Sequence, residues 1–101
     1  MSTVHVLLYV TDPDDAPGSV EAAYHDISRA LDGTPGLVGN RLLRSVGDPR
    51  SFAVHSEWTD LEAFQVWERG NDHRSTTASL RPLQDATRGA TFGIYEVAAS
   101  Y

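Results

Sequence analysis

The sequence predicts an α+β domain of the ferredoxin-like βαββαβ type, built on one four-stranded antiparallel sheet. Two observations carry this. Short segments rich in β-branched and aromatic residues alternate with two segments of helical period, in the order strand, helix, strand, strand, helix, strand. Clusters of Gly, Pro and Asp separate them, as turns require. A third observation lies at Glu57–Gly70, where a strand ends and a helix begins within a few residues.

Val4–Val10 reads as the first strand, apolar on both faces, which predicts that both are covered. Thr11–Gly18 is a loop. Ser19 is placed to cap a helix running to about Leu31, with Val20, Ala23, Tyr24, Ile27, Ala30 and Leu31 on one side and His25 on the solvent side. Gly33–Gly36 ends it. Leu37–Val46 and the strand that begins at Ser51-Phe52-Ala53-Val54-His55-Ser56 and ends at Trp58 form an antiparallel hairpin across Gly47-Asp48-Pro49-Arg50. Thr59 and Glu62 have the spacing of a capping box. Leu61, Phe64 and Trp67 follow along one side of the second helix, and Gly70 is placed to stop it in a left-handed cap. A short helical piece ends near Leu80, before Pro82, and Ala90–Ala98 makes the last strand.

A chain of 101 residues holds one domain, spanning 1–101. It has neither a membrane-length apolar run nor a signal-peptide pattern, and with no cysteine it has no disulfide or thiolate chemistry. A cytoplasmic location is expected. The net charge of −6, with dispersed acids, argues against a nucleic-acid partner. All eight basic side chains are arginine, so Schiff-base catalysis by lysine is excluded.

Right-handed crossovers place both helices on one face of the sheet. The other face would stay bare and largely apolar: Val4, Val6 and Leu8 oppose Leu7 and Tyr9, and Phe52, Val54 and Trp58 oppose Ala53 and His55. A second copy of the chain, face to face, is the simplest cover. A homodimer is therefore expected, with a pocket in the space left between the sheets.

The hairpin from Gly36-Leu37 to Asp48-Pro49-Arg50, the strand end at Trp58 and the helix from Glu62-Ala63-Phe64 to Trp67 resemble the antibiotic biosynthesis monooxygenase family of the dimeric α/β-barrel superfamily. So do Asp72-His73-Arg74 and Leu80-Arg81-Pro82-Leu83. The resemblance spans nearly the whole chain. It implies a dimeric α/β barrel, and either oxidation of aromatic polyketide anthrones to quinones without flavin or metal, or heme degradation. In the first case the deprotonated substrate itself reduces oxygen, and the protein supplies apolar aromatic walls and groups that stabilise the anion. Under the resemblance, Trp58 matches a pocket-lining tryptophan and Trp67 a tryptophan that walls the ligand in heme-degrading members. Phe64 stands where quinone-forming members carry a tyrosine, and Val54 where they carry a catalytic asparagine. The heme degraders' axial histidine falls near Thr77, and their first-strand asparagine has no counterpart in Val4–Val10.

The expected function is a small cofactor-independent monooxygenase that acts on an aromatic polyketide-type intermediate, with molecular oxygen as co-substrate. A cyclase or isomerase using the same pocket and a non-catalytic accessory protein are the alternatives. With lysine and cysteine absent, the expected proton carriers are His55 first, His73 second and His5 third. Trp58, Trp67, Phe64 and Tyr9 are the expected aromatic contacts, and Arg41 could hold an enolate or carboxylate. Arg41 and Asn40 point to opposite faces, so at most one reaches the pocket. His55 and Trp58 are likewise of opposite parity: the resemblance favours the Trp58 face, polarity the His55 face. The four histidines lack metal-ligand spacing, and no metal is expected.

Overall fold

The six elements form in the expected order in a computed structural model, which describes residues 3–70, 77–85, 87 and 89–101. They are β1 (Val4–Thr11), α1 (Ser19–Leu31), β2 (Leu37–Arg44), β3 (Ser51–Trp58), α2 (Leu61–Arg69) and β4 (Phe92–Glu96). The sheet order is β2-β3-β1-β4, with every neighbouring pair antiparallel. This is the ferredoxin-like arrangement.

Parity along the two central strands divides the sheet. Val4, Val6, Leu8 and Val10 pair with Trp58, Ser56, Val54 and Phe52, and this face carries both helices. Val20, Ala23, Ile27 and Leu31 of α1 pack with Val10, Phe52 and Leu80 into one cluster. Phe64 of α2 packs with Val4, Val6 and Trp58 into a second. Leu37 and Trp67 touch both clusters. Tyr24 is only half-buried and Ala30 is exposed, so the apolar stripe of α1 is narrower than its sequence suggests. Leu61 is also exposed, leaving Phe64 as the buried anchor of α2.

The helix ends depart from the expected caps. Gly18, in the left-handed region at φ 88°, precedes α1, and the cap comes from outside the helix. The buried Asp12 carboxylate accepts from the backbone N–H of Gly18 (3.2 Å) and of Val20 (2.9 Å). Ser19 instead donates to the Ala16 carbonyl at 2.6 Å. Asp60, not Thr59, caps α2, because its Oδ1 accepts from Ala63 N at 2.8 Å. Gly70 ends that helix in an extended conformation rather than a left-handed one. Gly36 is the glycine whose conformation matters most. It has φ 82°, and a Cβ there would collide with Ala63 of α2.

Strand ends follow the supply of partners. β2 stops at Arg44 because Ser45 N bonds Ser51 O (2.8 Å) and closes the hairpin, leaving Val46 outside it and fully exposed. β4 is shorter than Ala90–Ala98 because β1 offers no partner before Val4. Beyond Leu8 the free edge of β1 is used by Thr91 and Asp85, which bond Tyr9, and by Gln84, which bridges Val10. The short helical piece expected to end near Leu80 falls largely outside the described residues. Pro82 itself lies inside a 3-10 turn, Arg81–Leu83, where its missing N–H costs nothing.

Asp12→Ala removes two bonds to orphan backbone donors and is expected to lower stability by about 1–2 kcal/mol. Thermal melts should show this as a fall of roughly 5–10 °C in Tm.

Candidate functional site

A cavity of about 190 Å³ opens between the helices and the sheet, flanked by the two core clusters. Its position differs from the space between two sheets that the sequence suggested. The helices stand off the sheet here, where Ile27 and Leu31 of α1 face Phe64 and Trp67 of α2. Val6, Leu8 and Val54 form its floor, and Leu80 and Phe92 close its sides.

Three aromatic rings make one wall. Trp58 is 1% exposed, with its ring centroid 5.2 Å from Trp67 and 5.6 Å from Phe64, the latter edge-to-face. Phe64 and Trp67 are 6.0 Å apart. The indole N–H of Trp58 donates to Ser56 Oγ at 2.9 Å, which satisfies the donor that burial would otherwise strand. The polar lining is sparse and includes Asn40 of β2, Ser56 of β3 and Glu68 of α2, with Thr77 and Arg81 at the rim. Arg81 donates to Thr77 Oγ1 at 3.4 Å.

Of the two β2 residues of opposite parity, Asn40 rather than Arg41 is the one that lines the cavity. Its side chain projects to the helix face, where its Oδ1 accepts from Tyr24 OH (2.6 Å) and Ser28 Oγ (3.1 Å) of α1. The signal was Tyr24 and Ser28 one helical turn apart, two hydroxyls edging an apolar stripe. Glu68, next to Trp67, went unremarked in the sequence.

The expected site residues are thus divided by the sheet. Trp58, Trp67 and Phe64 come together on the cavity. His55, His5, Arg41 and Tyr9 lie on the opposite face, because each has the other strand parity. Arg41 lies opposite His55 in the β2–β3 register, so it does not reach the cavity. Tyr9 OH stands 3.4 Å from Tyr95 OH on that same face. His73 lies outside the described residues. Among the described residues, no group of three or more His, Cys, Asp or Glu is arranged to hold a metal. Among them too, no helix is long and apolar enough to cross a membrane.

On the face away from the helices, His5 and His55 form a stacked pair with ring centroids 5.1 Å apart. His5 Nδ1 is 2.8 Å from His55 Nε2, and His5 Nε2 is 3.2 Å from Thr3 Oγ1. Two proton orders satisfy this chain: Thr3 O–H donates to His5 Nε2 while His5 Nδ1–H donates to His55 Nε2, or His55 Nε2–H donates to His5 Nδ1 while His5 Nε2–H donates to Thr3 Oγ1. Burial pushes the His55 pKa below its ordinary 6.5, and the neighbouring His5 and Arg41 push the same way, with Glu57 opposing.

Comparison with known proteins gives this arrangement its relatives. Residues 1–79 match the family model described as Antibiotic biosynthesis monooxygenase. Protein SchA of Streptomyces halstedii is 28% identical over 96 residues, which make up 95% of this chain and 24% of that protein. A mycobilin-producing heme oxygenase of Mycobacterium tuberculosis is 33% identical over 58 residues, 57% of this chain and 55% of that one. The chain therefore spans less than two thirds of either relative. Among solved structures, SnoaB, a cofactor-independent oxygenase from Streptomyces nogalater, superposes with a TM-score of 0.77 at 20% identity. That match covers 98% of this chain and 95% of SnoaB, and it is a likeness of fold.

His55 gives stability a pH dependence of defined sign. With the folded His55 pKa below 6.5, the unfolded chain binds more protons between the two values. Stability should fall as the pH drops below about 6.5 and level off once it is below the folded pKa. Melts taken from pH 7.5 to 5 are expected to show this decline, and His55→Gln should flatten it.

Proposed function

Because the chain belongs to the antibiotic biosynthesis monooxygenase family, we propose that it oxidises an aromatic, polyketide-type intermediate with molecular oxygen and without a cofactor. The observation that carries this reading is the helix-side cavity, walled by Trp58, Phe64 and Trp67 and only sparsely polar. Such a site suits a flat, electron-rich ring system, and excluding water protects a carbanion from reprotonation. The description of SnoaB as a cofactor-independent oxygenase supports the same reading.

In this reading the substrate's benzylic methylene loses a proton to Glu68, the carboxylate among the described lining residues. The resulting carbanion gives its electrons to oxygen, and the peroxide formed on that carbon collapses. The methylene and one dioxygen become a carbonyl and one water, so no outside reductant is needed. The aromatic wall holds the ring in place.

The uncovered sheet face is the proposed homodimer interface. It presents Leu7, Tyr9, Leu43, Ala53 and Tyr95 around the His5–His55 pair, with Leu43 and Tyr95 42% and 50% exposed. Each protomer would keep its own cavity on the far side of its sheet.

Oxygen uptake with an anthrone, in the absence of any added cofactor, tests the reaction. Conversion under strictly anaerobic conditions would indicate a cyclase or isomerase instead, and binding without conversion an accessory protein. A yellow or brown purified protein would point to flavin or heme.

Glu68→Gln is expected to lower turnover about a hundredfold, the usual scale for losing a general base. His55→Ala, across the sheet, should keep turnover within a few-fold. Light scattering should give twice the 11.0 kDa of the chain, and Leu7→Glu should return the monomer.

A further inference from the structure

The cavity's two best-placed polar side chains are held by separate relays, and each relay leaves one proton donor turned inward. Asn40 and Ser56 are directly opposite in the β2–β3 register, on the helix face, so their side chains are nearest neighbours on the cavity wall. Tyr24 and Ser28 both reach Asn40 Oδ1, at 2.6 and 3.1 Å. The shorter distance is that of an O–H···O bond, which assigns this atom as the amide oxygen. With its oxygen anchored to α1, the side chain has only its Nδ2 hydrogens left to offer, and no acceptor for them is recorded among the described residues. Ser56 is fixed in a complementary way. Trp58 Nε1–H can only donate, so Ser56 Oγ is the acceptor in their 2.9 Å bond. The Ser56 proton is thereby released to donate elsewhere, and again no acceptor is recorded among the described residues.

We propose that the Asn40 amide and the Ser56 hydroxyl form a two-donor seat for one anionic oxygen of the ligand, a phenolate or enolate. Tyr24, Ser28 and Trp58 act as its positioning residues. This rests on reading the cavity as the ligand site. Two donors set in an apolar wall of Val6, Leu8 and Val54 are costly to leave unpaired, so the site selects an oxygen acceptor over a bare hydrocarbon. Each relay also polarises its terminal donor, because Asn40 and Ser56 both accept hydrogen bonds while they give one. Donation to the charged form stabilises it, so an aromatic hydroxyl bound here gives up its proton to the buffer at lower pH than it does in water.

The probe is 2-naphthol, whose ionisation is read from its absorbance, with naphthalene as the oxygen-free control. In the unaltered protein, bound 2-naphthol should ionise at least about one pH unit below the free compound, a tenfold shift toward the phenolate. Asn40→Leu and Ser56→Ala should each remove most of that shift, while naphthalene binds alike to all three proteins. Tyr24→Phe, which leaves Asn40 in place but frees its amide to rotate, should give an intermediate shift. If Asn40→Leu fails to fold, the near-isosteric Asn40→Asp replaces a donor by an acceptor, and should move the ionisation of bound 2-naphthol upward. An unshifted ionisation in the unaltered protein overturns the seat, as does a shift that survives the Asn40→Leu/Ser56→Ala double variant. Because ionisation is read without turnover, a protein that binds 2-naphthol but consumes no oxygen sinks the oxygenase reading alone. Failure to bind either probe removes the cavity as a ligand site, and the seat with it.

Discussion

Everything in this fold that bears on chemistry depends on the two-residue pleat of β1 and β3. Those strands lie at the centre of the sheet and pair residue for residue from Val4–Trp58 to Thr11–Ser51. A one-residue slip would turn Trp58 and Phe52 toward solvent and bring His55 and Glu57 under the helices. Burial prevents that slip: Val4, Val6, Val10, Phe52 and Trp58 are all nearly inaccessible, at 0–7%. Full burial of a side chain of this size contributes roughly 1.5–3 kcal/mol, so the register is held by several such increments acting together. The partition of functional groups then follows without further design. Even-numbered residues of β3 lie on the helix face, three of them on the cavity, and odd-numbered ones lie on the open face.

The architecture was legible in the sequence because local signals and the global fold agree. The strand order, both helices, the hairpin and the opposition of His55 to Trp58 follow from periodicity and turn chemistry. What was not legible depends on contacts between distant segments. Asp12 reads as one more loop acid, yet the packing of β1 beside the start of α1 makes it that helix's cap. Thr59 and Glu62 match a capping pattern, but Asp60, one residue on, presents the better acceptor once β3 runs through Trp58. In the site, the aromatic wall was readable from Trp58, Phe64 and Trp67. The choice of sheet face was not, since polarity and resemblance pointed different ways. That Asn40 rather than Arg41 would reach the cavity was not legible, because what holds it there is two hydroxyls of another element.

The two faces of the sheet carry different physics. The helix side combines an aromatic wall with polar side chains whose orientation is set by neighbours, the arrangement that preorganised sites use. The open side gathers groups whose charge depends on pH, where an imidazole pair shares one hydrogen bond beside an arginine and a glutamate. Between them lies a single layer of backbone about as thick as one strand. A substitution on one face therefore shares a strand with the other face, though not a side-chain contact. Substitutions at Ala53 or His55 would reach the cavity only by moving β3 itself.

The chain has only two tryptophans, and both stand on the cavity wall. Their ring centroids are 5.2 Å apart, within range of strong electronic coupling, with one ring sealed at 1% exposure and the other half-buried. The protein's tryptophan emission, which red-edge excitation separates from that of the four tyrosines, thus originates at the cavity. An aromatic guest resting on this wall would quench or shift nearly all of it, whereas events on the open sheet face would leave it almost unchanged. The native fluorophores therefore report occupancy of the cavity without any label.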